Sequence, residues 1–366
     1  MKLACFDLYR FSLPLRWPLV LGGTTLHRRE GLLLRLSGDD GAEGWGESAP
    51  LPGFSEESPD QAIVQLRRLA GSLVGREVID DWTDLNRAFG RELERVALAP
   101  SVRFGLELAV WNMCAATWGK SLPELLAGQP RASVPVNGLL SGSWDEVLEG
   151  ARRMKKAGYE AIKLKVGART IAEDARLVRK LVEESGETLS LRLDANRVWG
   201  YEQAAEFLRG APRFEYLEEP LADPARLPQL VREFGTAVAL DETLVGMEPE
   251  VLEEHRYARA VVLKPTLLGG ISNTLSMAGR ARRLGMTPVV SSSYESGVGT
   301  AALVALAAGI GERPVAAGLD TYRALRDDVL DTPLGLPAPS VDVGATAVAS
   351  RTVDVGRLEL LYSGLQ

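Results

Sequence analysis

Residues 161–196 read AIKLKVGARTIAEDARLVRKLVEESGETLSLRLDAN, and this stretch decides the fold. Its first piece, Ala161–Val166, is a short apolar strand carrying Lys163 and Lys165. Side chains alternate faces along a strand, so the two lysines point the same way. The last piece, Leu189–Asp194, is a second apolar strand, with Arg192 and Asp194 two apart and again on one face. Between them, Ile171, Ala175, Val178 and Val182 recur at helical spacing over Thr170–Ser185. A strand–helix–strand unit whose strands end in charge is the form expected of a parallel α/β sheet with chemistry at its carboxyl end.

The unit repeats on both sides. Short apolar strands are predicted at Val134–Leu139, Ala161–Val166, Leu189–Asp194, Tyr216–Glu218, Val238–Asp241, Val261–Lys264, Pro288–Ser293 and Val315–Leu319. Helical stretches such as Trp144–Ala157, Ile171–Glu184 and Ile271–Leu284 separate them. Eight strands at these spacings fit a (β/α) barrel. A doubly wound sheet gives a similar alternation, but it usually has fewer strands and a glycine-rich first turn, and it ranks second. Upstream the pattern differs. Lys2–Leu15 alternates loosely, and Gly31–Leu36 and Gly44–Ser48 flank the turn sequence SGDDGAE, a hairpin signature. A shaped loop, APLPGFSEES (Ala49–Ser58), leads into a helix that Ser58 caps, with Pro59 at its first position. Further helices are expected over Asp80–Leu98 and Ser101–Thr117. Strands first and helices after indicate an α+β unit. The expected domains are therefore 1–125, α+β; 126–320, the barrel; and 321–366, a Pro-, Gly- and Val-rich tail that returns to the first.

The bulk properties narrow the function. The chain has 366 residues, 46% of them hydrophobic, and a net charge of −7 with both signs interspersed. No basic tract points to nucleic acid, and no apolar segment is long enough to span a bilayer. The N-terminal residues lack the pattern of a signal peptide, and Cys5 and Cys114 stand in no metal or redox spacing. The expectation is a cytoplasmic chain with no nucleic-acid or membrane partner; the oligomeric state is left open. Only His27 and His255 are present, neither at a strand end, which makes lysine or carboxylate chemistry the better expectation.

The strand ends carry that chemistry. They terminate in Lys163-x-Lys165, Arg192-x-Asp194-x-Asn196, Glu218-Glu219-Pro220, Asp241-Glu242, Lys264-Pro265 and Ser291-Ser292-Ser293. In a parallel barrel these ends meet around one mouth. Buried charge there is costly unless paired or bound to metal. A single acid at a strand end is usually a helix cap or an ion-pair partner. Asp194, Glu218 and Asp241 on successive strands, facing lysines on both sides, argue instead for one shared cation, and all-oxygen ligation suits Mg²⁺. A lysine works as a base when its pKa is lowered, and the like charge of Lys163 together with a cation is expected to do this for Lys165. Lys264 approaches from the opposite side. A base, a metal and a second cation suit proton abstraction beside a carboxylate through an enediolate.

Lys-x-Lys, Asp-x-Asn, Glu-Glu-Pro, Asp-Glu and Lys-Pro, in this order, resemble the enolase superfamily on its muconate-lactonizing side. GWGESAPLPGFSEES (Gly44–Ser58), PSVRFGLELA (Pro100–Ala109), LRLDANRVW (Leu191–Trp199), VVLKPTLLGG (Val261–Gly270), SSSYES (Ser291–Ser296) and AGLDT (Ala317–Thr321) are most similar to the o-succinylbenzoate synthase family of menaquinone biosynthesis. The resemblance covers nearly the whole chain. It implies an α/β fold, a (β/α)7β TIM-like barrel with an α+β capping domain built from the N-terminal part and the C-terminal tail, and loops near Leu19–Thr25 and Pro50–Ser55 closing the mouth. It assigns Mg²⁺, with Mn²⁺ as a substitute, to Asp194, Glu218 and Asp241, with Glu219 and Glu242 behind them. Lys165 becomes the acid/base and Lys264 its partner, with Lys163 in support. Arg192, Asn196, Ser291 and Ser293 fall at substrate-binding positions for a small carboxylate. The implied reaction is syn-dehydration of 2-succinyl-6-hydroxy-2,4-cyclohexadiene-1-carboxylate to 2-succinylbenzoate. N-succinyl or N-acylamino acid racemase and dipeptide epimerase use the same two lysines and remain the alternative. Tyr294 departs from the aliphatic residue common in related sequences.

Two further signals are weighed. Ser296-Gly-Val-Gly-Thr is read as helix-start geometry whose N–H groups could hold a substrate carboxylate. Trp45, Trp111 and Trp199 are read as packing residues.

Overall fold

The computed structural model describes residues 1–21, 23–78, 97–186 and 189–365. The chain opens with β1 (Leu3–Leu21), β2 (Thr24–Gly38) and β3 (Glu43–Ser48), an antiparallel meander with Leu8 opposite Leu34 and Leu34 opposite Gly46. The turn at SGDDGAE is closed by Gly38 N–H donating to the Ala42 carbonyl at 2.8 Å. Helix α1 (Pro59–Leu73) starts as its sequence predicts. Ser58 Oγ accepts from Gln61 N–H at 3.2 Å, and Gln61 Oε1 accepts from Ser58 N–H at 2.8 Å. The helix expected over Asp80–Leu98 falls almost wholly outside the described residues. Helix α2 (Pro100–Thr117) lies directly on β3. A Cβ at Gly44 or Gly46 would strike the carbonyl of Ala109 or Gly105, so glycine there permits the contact. Helix α3 (Leu122–Ala127) follows.

The barrel begins with a departure from prediction. The strand expected over Val134–Leu139 splits in two. Ser133–Pro135 (β4) pairs antiparallel with Ser340–Asp342 of the tail, and the parallel sheet starts only at Gly138–Leu140 (β5). Pro135 has no N–H to give the parallel ladder. The sheet continues through β6 (Ala161–Lys165), β7 (Ser190–Asp194), β8 (Tyr216–Glu218), β9 (Val238–Leu240), β10 (Ala260–Leu263) and β11 (Thr287–Val290), all parallel and in chain order. Helices α4 (Trp144–Ala157), α5 (Ile171–Ser185), α6 (Tyr201–Gly210), α7 (Leu227–Phe234), α8 (Pro265–Leu268), α9 (Ile271–Arg283) and α10 (Gly297–Gly309) occupy the connections. Short 3₁₀ turns replace a helix between β9 and β10.

The eighth strand, expected over Val315–Leu319, is reduced to bridges. Asn137 N–H donates to the Ala317 carbonyl at 2.9 Å and Gly318 N–H to the Val290 carbonyl at 2.8 Å, so residues 317–318 close the ring between β5 and β11. The fold is thus a TIM-like barrel with an antiparallel sheet over it. The tail adds β12 (Ser340–Asp342), α11 (Val343–Ala349) and β13 (Glu359–Leu365), and β13 pairs antiparallel with β1. Ser363 Oγ donates to Asp7 at 2.5 Å, and Arg35 donates to the same carboxylate through two nitrogens at 2.6 and 3.1 Å.

Alternation along the barrel strands separates two apolar groups. Leu217, Val238, Leu240, Val261 and Leu263 face the helices and join the main core, which runs without a break into the antiparallel sheet. Tyr216, Ala239, Ala260, Val262 and Val289 face inward and fill the barrel interior. The charged residues of the strand ends continue this inward row upward. Among the described residues no helix is long and apolar enough to cross a membrane.

Candidate active site

The inward row ends in charge because strand period and barrel closure act together. Lys163 and Lys165 on β6, Asp194 on β7 and Glu218 on β8 stand side by side, with Lys165 in register with Asp194 and Asp194 with Glu218. Asp241 follows β9 and Lys264 follows β10. All three carboxylates are at least 97% buried. Lys163 Nζ lies 2.6 Å from Glu218 Oε1 and 2.9 Å from Asp194 Oδ2. Lys165 Nζ lies 2.6 Å from the same Asp194 oxygen and 2.6 Å from Asn196 Oδ1. Lys264 Nζ lies 2.5 Å from Asp241 Oδ2.

Asp194 Oδ2 sits between Lys163 and Lys165 and pairs with both. Burial works against the Lys163 and Lys264 ammonium groups, yet neighbouring carboxylates hold both above the usual lysine range. Burial also opposes the Asp194 carboxylate, and Lys163 and Lys165 overcome it and hold that group well below its usual range. Glu218 goes the other way. Burial and the charges of Asp194 and Asp241 push it well up. Glu218 is thus left electrostatically frustrated, and its Oε2 is buried with no hydrogen-bond partner. A hard divalent cation is the group that such a donor set fits. Among the described residues no three His, Cys, Asp or Glu side chains close around one point, and the lysine ammonium groups lie against the carboxylates.

Asn196 bridges the centre. Its Oδ1 accepts from Lys165, its Nδ2 donates to Glu242 Oε1 at 3.0 Å, and its backbone N–H donates to Asp194 Oδ1 at 3.0 Å. Glu219 turns away from the mouth. It accepts from the backbone N–H groups of Asp241 at 2.9 Å and Thr243 at 2.7 Å, and from Arg197 Nε at 2.9 Å. It thereby fixes the backbone that carries Asp241. Asn196, Arg197 and Glu219 all have positive φ, at 43°, 60° and 39°, a concentration of strain in non-glycine residues next to the carboxylates.

A cavity of about 550 Å³ opens above this centre, with Lys163, Lys165 and Lys264 in its wall. Leu19, Val20, Leu21, Leu51 and Phe54 from the antiparallel sheet and its loop line the other side. The Phe54 ring centroid is 5.7 Å from Lys264 Nζ. Ser291 and Ser293 also line the cavity, and the Ser293 hydroxyl is buried without a partner.

Two sequence expectations fare differently. Arg192 does not line the cavity. It lies one inward position below Asp194, buried, donating to Glu215 Oε2 at 2.8 Å, Asn137 Oδ1 at 3.1 Å and the Ala316 carbonyl at 2.7 Å. Two residues along a strand are a full layer of a barrel, so a shared face is not a shared depth. The start of α10 offers nothing to a substrate carboxylate. Glu47 accepts from Ser296 N–H and Gly299 N–H, both at 2.8 Å, and Asp328 accepts from Gly297 N–H at 2.8 Å. The protein's own acids fill that anion site. Sequence reasoning also missed Arg197 and Phe54. Arg197 follows Asp-x-Asn directly, and that adjacency was the available signal. Phe54 carries none, since a phenylalanine in a Pro/Gly loop does not name its neighbour.

Comparison with known proteins agrees with this fold. The Enolase C-terminal domain-like family matches residues 146–346, and the family described as MenC, N-terminal domain matches residues 3–113. The o-succinylbenzoate synthase of Pasteurella multocida (strain Pm70) is 34% identical over 92% of this chain and 93% of its own length. Among solved structures, the muconate lactonizing enzyme from Pseudomonas fluorescens complexed with muconolactone is 24% identical, with a TM-score of 0.82 over 98% of this chain and 96% of its own. The N-succinyl Arg/Lys racemase from Bacillus cereus is 20% identical, with a TM-score of 0.82 over 100% of both chains. These two likenesses speak for the fold. Family matches along both parts of the chain, and a relative at 34% identity over nearly its whole length, identify the chain as a member of the o-succinylbenzoate synthase family of enzymes, within the enolase superfamily.

Proposed function

We propose that the chain dehydrates 2-succinyl-6-hydroxy-2,4-cyclohexadiene-1-carboxylate to 2-succinylbenzoate. One observation carries the reading: three buried carboxylates on successive strands, flanked by Lys163 and Lys165 on one side and Lys264 on the other, beneath a cavity of about 550 Å³. Residues 126–320 supply the chemistry in this reading, and 1–125 with 321–366 close over it. A divalent cation, Mg²⁺ with Mn²⁺ as substitute, held by Asp194, Glu218 and Asp241, would supply Lewis acidity toward the substrate carboxylate. Lys165, with 38% of its side chain exposed against 12% for Lys163 and 15% for Lys264, is the lysine most open to a ligand. As the free amine it takes the proton α to the ring carboxylate. The electron pair left on that carbon forms the new ring double bond as the C–O bond breaks. Lys165 returns its proton to the departing hydroxyl, and water leaves. Lys264 keeps positive charge near the enediolate on the opposite face. Asn196 holds Lys165 in place, Glu219 steadies Asp241, and Ser291 and Ser293 take the carboxylate arm. Arg192 acts from below by keeping β7 in position.

Lys165 and Lys264 line one cavity from separated strands, and this favours a second reading, two-base racemisation or epimerisation of N-acylamino acids or dipeptides. One experiment separates the two. The purified chain with Mg²⁺ is followed by ultraviolet absorbance on the cyclohexadiene carboxylate, and by α-proton exchange of N-succinyl amino acids in D₂O. Dehydration blocked by EDTA and by Lys165→Ala supports the first reading; exchange without dehydration overturns it in favour of the second.

A further inference from the structure

Arg29 on β2 is 1% exposed, yet among the described residues no carboxylate hydrogen-bonds to it; Glu47, Glu295 and Glu30 act on it only through their charge. Its five N–H bonds all go to backbone carbonyls: Tyr294 at 2.9 Å, Glu30 at 2.8 Å, Pro50 at 2.8 Å, Ser293 at 3.4 Å, and Ala49. A buried guanidinium whose hydrogen bonds all go to neutral acceptors is an expensive arrangement. Its partners explain what it does. Ala49 and Pro50 begin the loop that carries Phe54. Ser293 and Tyr294 follow the end of β11.

Each segment also carries hydrogen bonds of its own. In the loop, Phe54 N–H donates to the Leu51 carbonyl at 3.0 Å and Leu51 N–H donates to Ser55 Oγ at 2.9 Å. At the strand end, Glu295 accepts from Ser293 N–H at 2.7 Å, from Ser292 Oγ at 2.6 Å and from Thr266 Oγ1 at 2.6 Å. Tyr294 is held at a φ of 62°. Glu295 thus holds the donors of the 292–293 segment, and Arg29 holds the carbonyls of 293–294. The guanidinium joins two segments that both line the cavity, one bearing Phe54 near Lys264 and the other bearing the unpartnered Ser293 hydroxyl.

We propose that Arg29 is a positioning residue: it sets the Phe54 loop against the Ser293 strand end and so fixes where a substrate's carboxylate arm lies relative to the lysines. The inference rests on the function proposed above for its kinetic consequence, but not for its structural one. The test is Arg29→Lys in the full chain, which keeps the charge and offers three donors to five acceptors. Hydrogen exchange without substrate is expected to quicken about tenfold in both 49–55 and 291–295 while α5 keeps wild-type rates. With the cyclohexadiene carboxylate, KM is expected to rise about tenfold with kcat within about threefold, the signature of lost binding rather than lost chemistry. Ser293→Ala added to Arg29→Lys is expected to cost less than it costs alone. Quickened exchange in one segment only, additive Ser293→Ala effects, or a lysine variant that fails to fold would each overturn the proposal. A wild-type chain that leaves the cyclohexadiene carboxylate unchanged would instead remove the function reading, and the exchange arm would still decide the role of Arg29.

Discussion

The mouth of the barrel and the seam between the barrel and the antiparallel sheet both bury charge, and they treat it in opposite ways. At the mouth, carboxylates face lysines and one another, Glu218 keeps an oxygen without a partner, and the backbone around Asn196, Arg197 and Glu219 is strained. At the seam the charges are spent on dipoles. Glu47 takes two backbone N–H groups and the Ser296 hydroxyl, Asp328 takes Gly297 N–H and the Tyr322 hydroxyl, and Arg29 takes only carbonyls. The difference teaches how to separate reactive from architectural charge in a buried setting. Burial raises buried carboxyls at the seam too, to about 7 for Glu47 and Glu107, but their partners there are fixed backbone dipoles. At the mouth the partners are other titratable side chains, and that is where a proton can be passed or a cation accepted.

The strongest way to break this comparison is at the mouth. Lys165→Ala is expected to lower kcat by about 10⁴-fold, the upper range for removing a positioned acid/base, with its melting midpoint close to wild type. Steady-state dehydration and a thermal melt on one preparation check both halves, and a small kcat effect would make Lys165 architectural. Glu218→Gln comes next. It should weaken Mn²⁺ binding, measured by calorimetry, by more than the roughly 10–100-fold typical of a residue outside the ligand set. Unchanged affinity would place the cation elsewhere.

At the seam the expected effect moves from rate to stability. Glu107 on α2 is fully buried and accepts from Ser272 N–H at 2.9 Å in the first turn of α9, and burial pushes its carboxyl from 4.5 up to about 7. Such a group binds its proton more tightly folded than unfolded. Its contribution to stability is complete below about pH 4.5 and is lost as pH rises through about 7. Wild type should therefore lose stability relative to Glu107→Gln across that window in urea melts, while kcat stays the same. A pH-independent difference between the two would remove Glu107 as the source. The smallest effect lies outside both regions. Arg282 and Glu312 pair at 2.8 Å with side chains 43% and 86% exposed, and Glu312→Ala should shift the urea-derived stability by less than about 0.5 kcal/mol.

Much of this molecule was legible before any coordinates. Period-two alternation put Lys163 with Lys165, and Arg192 with Asp194, on one face, because strand geometry is local and a side chain's direction follows from its position alone. The repeated strand–helix unit called for a closed parallel barrel, and closure is what brings separate strand ends together. Ser58 and Pro59 announced α1 for the same local reason. What only the tertiary structure decided depended on partners far away in the chain. Glu47 accepts from Ser296, the residue before α10 and 249 positions away, and no pattern around either residue encodes that meeting. Arg192 shares a face with Asp194 but sits a layer lower, where Glu215 and the Ala316 carbonyl claim it. The eighth strand shrank to bridges at residues 317–318, where a Cβ on Gly318 would meet the Ser291 hydroxyl, a close approach that apolar patterning does not register. Sequence period determines direction along each element. Depth, distance and the partner of each buried charge are decided only when the elements pack, because they depend on which dipoles and charges the fold brings within hydrogen-bond reach.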